Sequence, residues 1–82
     1  MRHNDFLRKE NKRMSHIEKV IPKLNEKQRT HLDYLRKVYK ASNTYNEVTR
    51  AKSQISSYLR GLTDADAITE ADFRALFIYY TI

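Results

Sequence analysis

The 82-residue chain has no cysteine, no tryptophan, one glycine and one proline. Without cysteine, neither disulfide staples nor thiolate metal sites can form. With only Gly61 and Pro22, it lacks the turn residues that an all-β fold needs at each reversal, and it has no glycine-rich phosphate cradle. The longest nearly apolar run, Ala75 to Ile82, is far shorter than the about 20 residues that span a bilayer. The opening stretch "MRHNDFLRKENKRM" is charged and has no apolar h-region, so no secretory signal is expected there. These absences together predict a protein located in the cytoplasm.

What is present suits a small helical domain: 32% charged residues and 40% hydrophobic ones. A single domain over residues 1–82 would bury only roughly 60–65% of its unfolded surface, a modest core. The net charge of +6 is uneven. Residues 1–40 hold 12 Lys and Arg against 5 Asp and Glu, whereas residues 41–82 hold 4 against 5. A duplex-binding surface would therefore be expected in the first half, because phosphate contacts supply much of the affinity for DNA.

Hydrophobic spacing and capping signals divide the chain into four helices. Leu7, Met14, Ile17, Ile21 and Leu24 form a narrow stripe on a helix over about 4–21, which Pro22 should end. Asn25 with Gln28 is a capping box that opens a second helix over 26–41, with Leu32, Leu35, Val38 and Tyr39 turned inward. Thr44 with Glu47 opens a third over 45–60. There Val48, Ala51, Ile55, Leu59 and Leu62 give the clearest period in the chain, and Gly61 is expected at the left-handed C′ position that stops it. Thr69 caps a fourth over 70–80, with Asp72 at its third position and Ile68 stapled to Phe73, and the apolar face continues through Leu76, Phe77 and Tyr80. Four amphipathic helices with short loops predict an all-α fold, a small antiparallel four-helix bundle.

Catalytic and metal chemistry find little support. His3, His16 and His31 have no ligand spacing and read as helix-surface residues. Asp64, Asp66, Glu70 and Asp72 are acidic enough to suggest a calcium loop. Counted from Asp64, however, the sixth and twelfth positions hold Thr69 and Ala75, where Gly and Glu are needed. Ser53, Ser56 and Ser57 have no base nearby in sequence. No enzyme activity, cofactor or metal site is expected.

"SQISSYLRGLTDADAIT", residues 53–69, resembles the recognition helix and turn of winged-helix regulators. In that comparison Ser53, Gln54, Ser57 and Arg60 would face a DNA groove while Ile55, Leu59 and Leu62 pack inward. Against it, Thr44 to Arg60 reads as one uninterrupted helix, no wing follows, and Asp64 and Asp66 would approach phosphates.

From about Glu26 to Tyr80 the chain runs through a helix with "LRKVY", a capped helix with "SQISSYLRGL", a short turn and "ITEADFRALFIYY". This order, with the spacing from Ile55 through Leu59 to Ile68 and Leu76, resembles the enterocin A type of bacteriocin immunity protein from lactic-acid bacteria. The resemblance implies a cytoplasmic, non-enzymatic four-helix bundle. Such a bundle protects its producer from a pore-forming peptide that uses a sugar-transport membrane complex as receptor. The implied partners are that receptor complex, the bacteriocin peptide, or both. Specificity in the family's C-terminal half would fall here on Ile78, Tyr79 and Ile82.

The basic face of the first helix, Arg8, Lys9, Lys12, Arg13 and Lys19, reads first as solvated surface. In an immunity protein it would suit peripheral contact with an anionic leaflet. Behind the immunity reading stand a small nucleic-acid-binding or regulatory protein and a helical adaptor of a phage or mobile element.

Overall fold

The computed structural model describes residues 16–82, and among these every regular element is helical. Helix α1 is described over 16–20 and runs into a 3-10 turn, Ile21–Lys23, in which Pro22 occupies the first turn. Proline has no N–H to give there and fixes the φ that the turn needs. Leu24 then adopts an extended backbone (φ −88°, ψ 137°) and redirects the chain.

The three remaining helices, α2 (Glu26–Lys40), α3 (Tyr45–Asp64) and α4 (Glu70–Tyr80), each start from a reciprocal capping box. Asn25 Oδ1 accepts from the Gln28 N–H at 2.8 Å, and Gln28 Oε1 accepts from the Asn25 N–H at 2.9 Å. Thr44 and Glu47 repeat the arrangement, and Thr69 and Asp72 repeat it again. Each box satisfies two donors that a helix start otherwise leaves open, and losing such a cap typically costs about 1 kcal/mol. The backbone N–H groups of Asn43 and Thr44 both donate to Glu47 and hold its carboxyl below the usual range.

Helix α3 is the centre of an antiparallel bundle. It packs along α2 on one side and α4 on the other, while α2 and α4 meet over a shorter line. The ring of His31 lies 4.4 Å from that of Tyr58 and the Lys52 ammonium 5.9 Å from the Tyr39 ring, so α2 and α3 run in opposite directions. Leu24, Leu32, Ile55, Leu59, Leu76 and Val20 are the largest fully buried side chains, closed over by Leu35, Leu62, Ile68 and Tyr80.

The core departs from the expected stripes in three places. In the first segment it is Val20, one turn before Leu24, that is fully buried, while Ile17 and Ile21 are half-buried. The stripe is thus rotated by one position, because the turn at Pro22 brings Leu24 in from an extended segment. In α2, Val38 is 36% exposed, while Tyr39 packs on the core as expected. Tyr39 follows Leu35 by four residues and keeps to the line facing α3, whereas Val38 falls on its flank.

The third departure is the end of α3. Gly61 is helical, its φ is not positive, and α3 continues to Asp64. The left-handed residue is Asp66, at φ 60°. The Asp66 N–H donates to the Thr63 carbonyl at 3.0 Å and the Ala67 N–H to the Leu62 carbonyl at 2.9 Å, the paired bonds of a Schellman motif. The helix runs past Gly61 because Leu62 is the next inward position after Leu59, and its burial requires another turn of helix. An aspartate tolerates the left-handed region better than most non-glycine residues, so the stop is set by the capping geometry that follows Leu62.

Candidate functional site

Three places bring polar or apolar groups together in ways that the core does not require. The first lies at the end of α4. Leu76 and Tyr80 face inward, and burial, followed by the nearby Asp33 charge, pushes the Tyr80 hydroxyl up to about 12. Ile78, Tyr79 and Ile82 point away from the core and are 56%, 36% and 68% exposed. The Tyr79 ring meets Tyr80 edge-on at 5.0 Å, and the guanidinium of Arg36 on α2 lies 5.3 Å from its centroid. Tyr79 is therefore an exposed ring held in a fixed orientation from beneath and from the side.

The second is a buried carboxylate. Asp72, 3% exposed, accepts from Lys23 Nζ at 2.7 Å, from the Thr69 N–H at 3.0 Å, and lies 3.2 Å from His16 Nε2. Burial alone would raise its pKa. The Lys23 ammonium and the Thr69 donors outweigh burial and hold the carboxyl at about 2. Asp72 thus ties α1 and the 3-10 turn to the start of α4. Sequence reasoning identified its capping role but not this junction, because Lys23 and His16 are 49 and 56 residues away. The only signal was an acid at the third position of a helix that also carries an apolar face.

The third is an open groove between α2 and α3, with His31 and Tyr34 on one wall and Arg50, Ser53, Gln54, Ser57 and Tyr58 on the other. A second depression adjoins it past His31 and Tyr34, lined by Asn25, Glu26, Lys27 and Thr30.

The sequence-derived candidates distribute over these surfaces unequally. Ile78, Tyr79 and Ile82 share the end of α4. Ser53, Gln54 and Ser57 share the groove, but Arg60 does not. Arg60 donates from Nη1 to both Glu70 oxygens at 3.0 Å and stacks 4.3 Å over the Phe73 ring, bridging α3 to α4. Lys19 is exposed, while Arg8, Lys9, Lys12 and Arg13 lie outside the described residues. The suspected acidic cluster is dispersed: Asp72 is buried against Lys23, Glu70 is paired with Arg60, and Asp66 caps α3. Among the described residues, no group of His, Asp or Glu side chains is arranged to hold a metal ion, and no helix is long and apolar enough to cross a membrane.

Neither protein-family models, curated proteins nor solved structures give a match to this chain.

Proposed function

We propose that this protein is a non-enzymatic interaction protein of the bacteriocin-immunity type, acting from the cytoplasmic side of the membrane on the complex between a pore-forming peptide and its receptor. The observation that carries the reading is the outward set of Ile78 and Tyr79 on α4 and Ile82 just beyond its end, with the opposite side of that helix locked into the core by Leu76 and Tyr80. Recognition of a protein partner needs a few aromatic or aliphatic anchors on a rigid support with a polar surround, and no reacting group. Tyr79, with Arg36 stacked beside it, has the composition of such an anchor. The exposed Lys19, with the cations Arg8, Lys9, Lys12 and Arg13 that precede it in the sequence, suits an anionic leaflet, where each charge near the surface contributes about 1 kcal/mol.

Expression inside a bacteriocin-sensitive strain tests the reading. Resistance should rise to one peptide of a panel and stay unchanged to unrelated ones. Ile78→Ala and Tyr79→Ala should reduce protection at least tenfold, about 1.4 kcal/mol of binding, while shifting the thermal midpoint by only a few degrees. Leu76→Ala, at a fully buried position, should lower protection and stability together. Equal killing of expressing and non-expressing cells across the panel would remove the immunity reading.

A further inference from the structure

The groove between α2 and α3 is built from a different set of groups than the end of α4, and the two share no residue. Its centre is aromatic. His31 is flanked by Tyr58 at 4.4 Å and by Tyr34 at 6.4 Å, and Tyr34 is 60% exposed. Burial does not explain Tyr34, which belongs neither to the buried core nor to the half-buried residues packed on it. Along the α3 wall, Arg50, Ser53, Gln54 and Ser57 recur at helical spacings of three, one and three residues, which puts them on one side of the helix. None of these four, nor His31 or Tyr34, makes a side-chain hydrogen bond or a close ion pair with another described residue. The groove therefore presents ring faces and open donors side by side.

Cations stand at its two ends. Lys27 lines the depression beyond His31, and Arg50 lines the far end of the α3 wall. The helices are antiparallel and His31 lies against Tyr58, so the two cations are roughly 18 Å apart along the groove at a rise of about 1.5 Å per residue. No carboxylate lines the portion with Ser53, Gln54 and Ser57, and Glu26 is the single acid in the adjoining depression. The whole chain carries +6. The groove is too open to enclose a small molecule, yet it is long enough for an extended polyanion.

We infer that this groove binds single-stranded nucleic acid, with bases stacked on Tyr34 and the His31–Tyr58 pair and phosphates held by Arg50 and Lys27. Aromatic faces between basic ends are the means by which single strands are held without regard to sequence, since every base has a π-face. A duplex does not fit the same surface. Its bases are already stacked on one another, and α3 is walled by α2 instead of projecting as a helix that enters a major groove. Ser53, Gln54 and Ser57 supply hydrogen-bond partners for exposed base edges. Arg60, committed to Glu70 and Phe73, takes no part.

The test is fluorescence anisotropy of labelled 12-residue oligo(U) and oligo(dT) with the full chain over a range of salt. Both should bind at low salt, with log affinity falling linearly against log salt. Tyr34→Ala should weaken both at least tenfold, the loss of one stacked base. Arg50→Gln should lower the slope by about 0.7, the value for one phosphate on a single strand. Arg74→Gln, exposed on a helix that does not line the groove, should leave binding within a factor of two. Tyr34 and Arg50 are both exposed, so unchanged melts should show that each variant is folded.

Four results would each overturn the assignment. These are no binding at low salt, equal losses for Arg74→Gln and Arg50→Gln with Tyr34→Ala neutral, tighter binding of a matched duplex, and full displacement of the oligonucleotide by polyglutamate at equal charge. None of them bears on the immunity reading, which rests on the end of α4.

Discussion

Where α2 meets α3, Leu32, Ile55 and Leu59 are sealed from water by one another; where α1 and its turn meet α4, Asp72 is sealed almost as completely but is surrounded by an ammonium, an imidazole and a backbone N–H. The two joints are closed to a similar degree by opposite physics. Aliphatic packing is indifferent to pH and is strengthened by excluded salts. A hidden carboxylate is stable only while it is ionised and its partners are in place. One small bundle therefore has a centre that ignores its surroundings and a seam that responds to them.

The contrast is broken most severely at the centre. Leu59→Ala should cost about 2–5 kcal/mol, read as a lower urea midpoint with little change in slope, and Leu59→Asp should leave the chain unfolded by circular dichroism. A loss under about 1 kcal/mol for the alanine variant would mean that the centre lies elsewhere.

At the seam the expected effect is smaller and depends on pH. The folded carboxyl of Asp72 sits at about 2, below its ordinary 3.8. A depressed acid stabilises the fold fully above its unfolded pKa and loses that contribution as pH falls through the folded value. About 2 kcal/mol should therefore disappear between pH 4 and pH 2. Asp72→Asn should remove a similar amount at pH 7 and flatten stability over that acid window. A variant that retains the wild-type acid transition would show that other carboxylates govern it.

The smallest effect is a gain. Nothing lies within 4 Å of a Cβ built on Gly61, which is exposed within α3. Gly61→Ala should stabilise by about 1 kcal/mol and raise the melting point by roughly 4–8 °C. A loss would mean that the glycine is needed as a helix stop after all.

Residues that act through their neighbours in sequence were the ones that could be read from it. Asn25 with Gln28, Thr44 with Glu47 and Thr69 with Asp72 are three-residue devices, and each starts its helix as expected. The inward line Ala51, Ile55, Leu59 and Leu62 follows from helical spacing in the same way. Gly61 misled because a glycine after a helical run also fits a C′ position, and the burial of Leu62 that overrides it is a tertiary effect. Val20 took the buried place expected of Ile17 and Ile21, and Val38 fell outside the core, because a stripe fixes a helix face only to within about one residue. Of the candidate recognition residues, the outward direction of Ile78 and Tyr79 followed from Leu76 and Tyr80 facing in. The groove was legible only on its α3 wall, since nothing local says that His31 and Tyr34 stand opposite Ser57 and Tyr58.

The reach of the Asp72 junction also has a consequence in time. Helices α2, α3 and α4 are joined in sequence and packed in that order around α3, so most of the bundle can assemble from nearby parts, as in helical proteins that fold in microseconds to milliseconds. The bonds from Asp72 to Lys23 and His16 close loops of 49 and 56 residues, and they gain nothing until both ends of the described chain are in place. They should therefore form after the rate-limiting step. Asp72→Asn should then leave the refolding rate nearly unchanged and speed unfolding by most of its equilibrium cost, roughly thirtyfold for about 2 kcal/mol. The seam would act as a clasp that governs how long the folded state lasts and has little influence on how quickly it is reached.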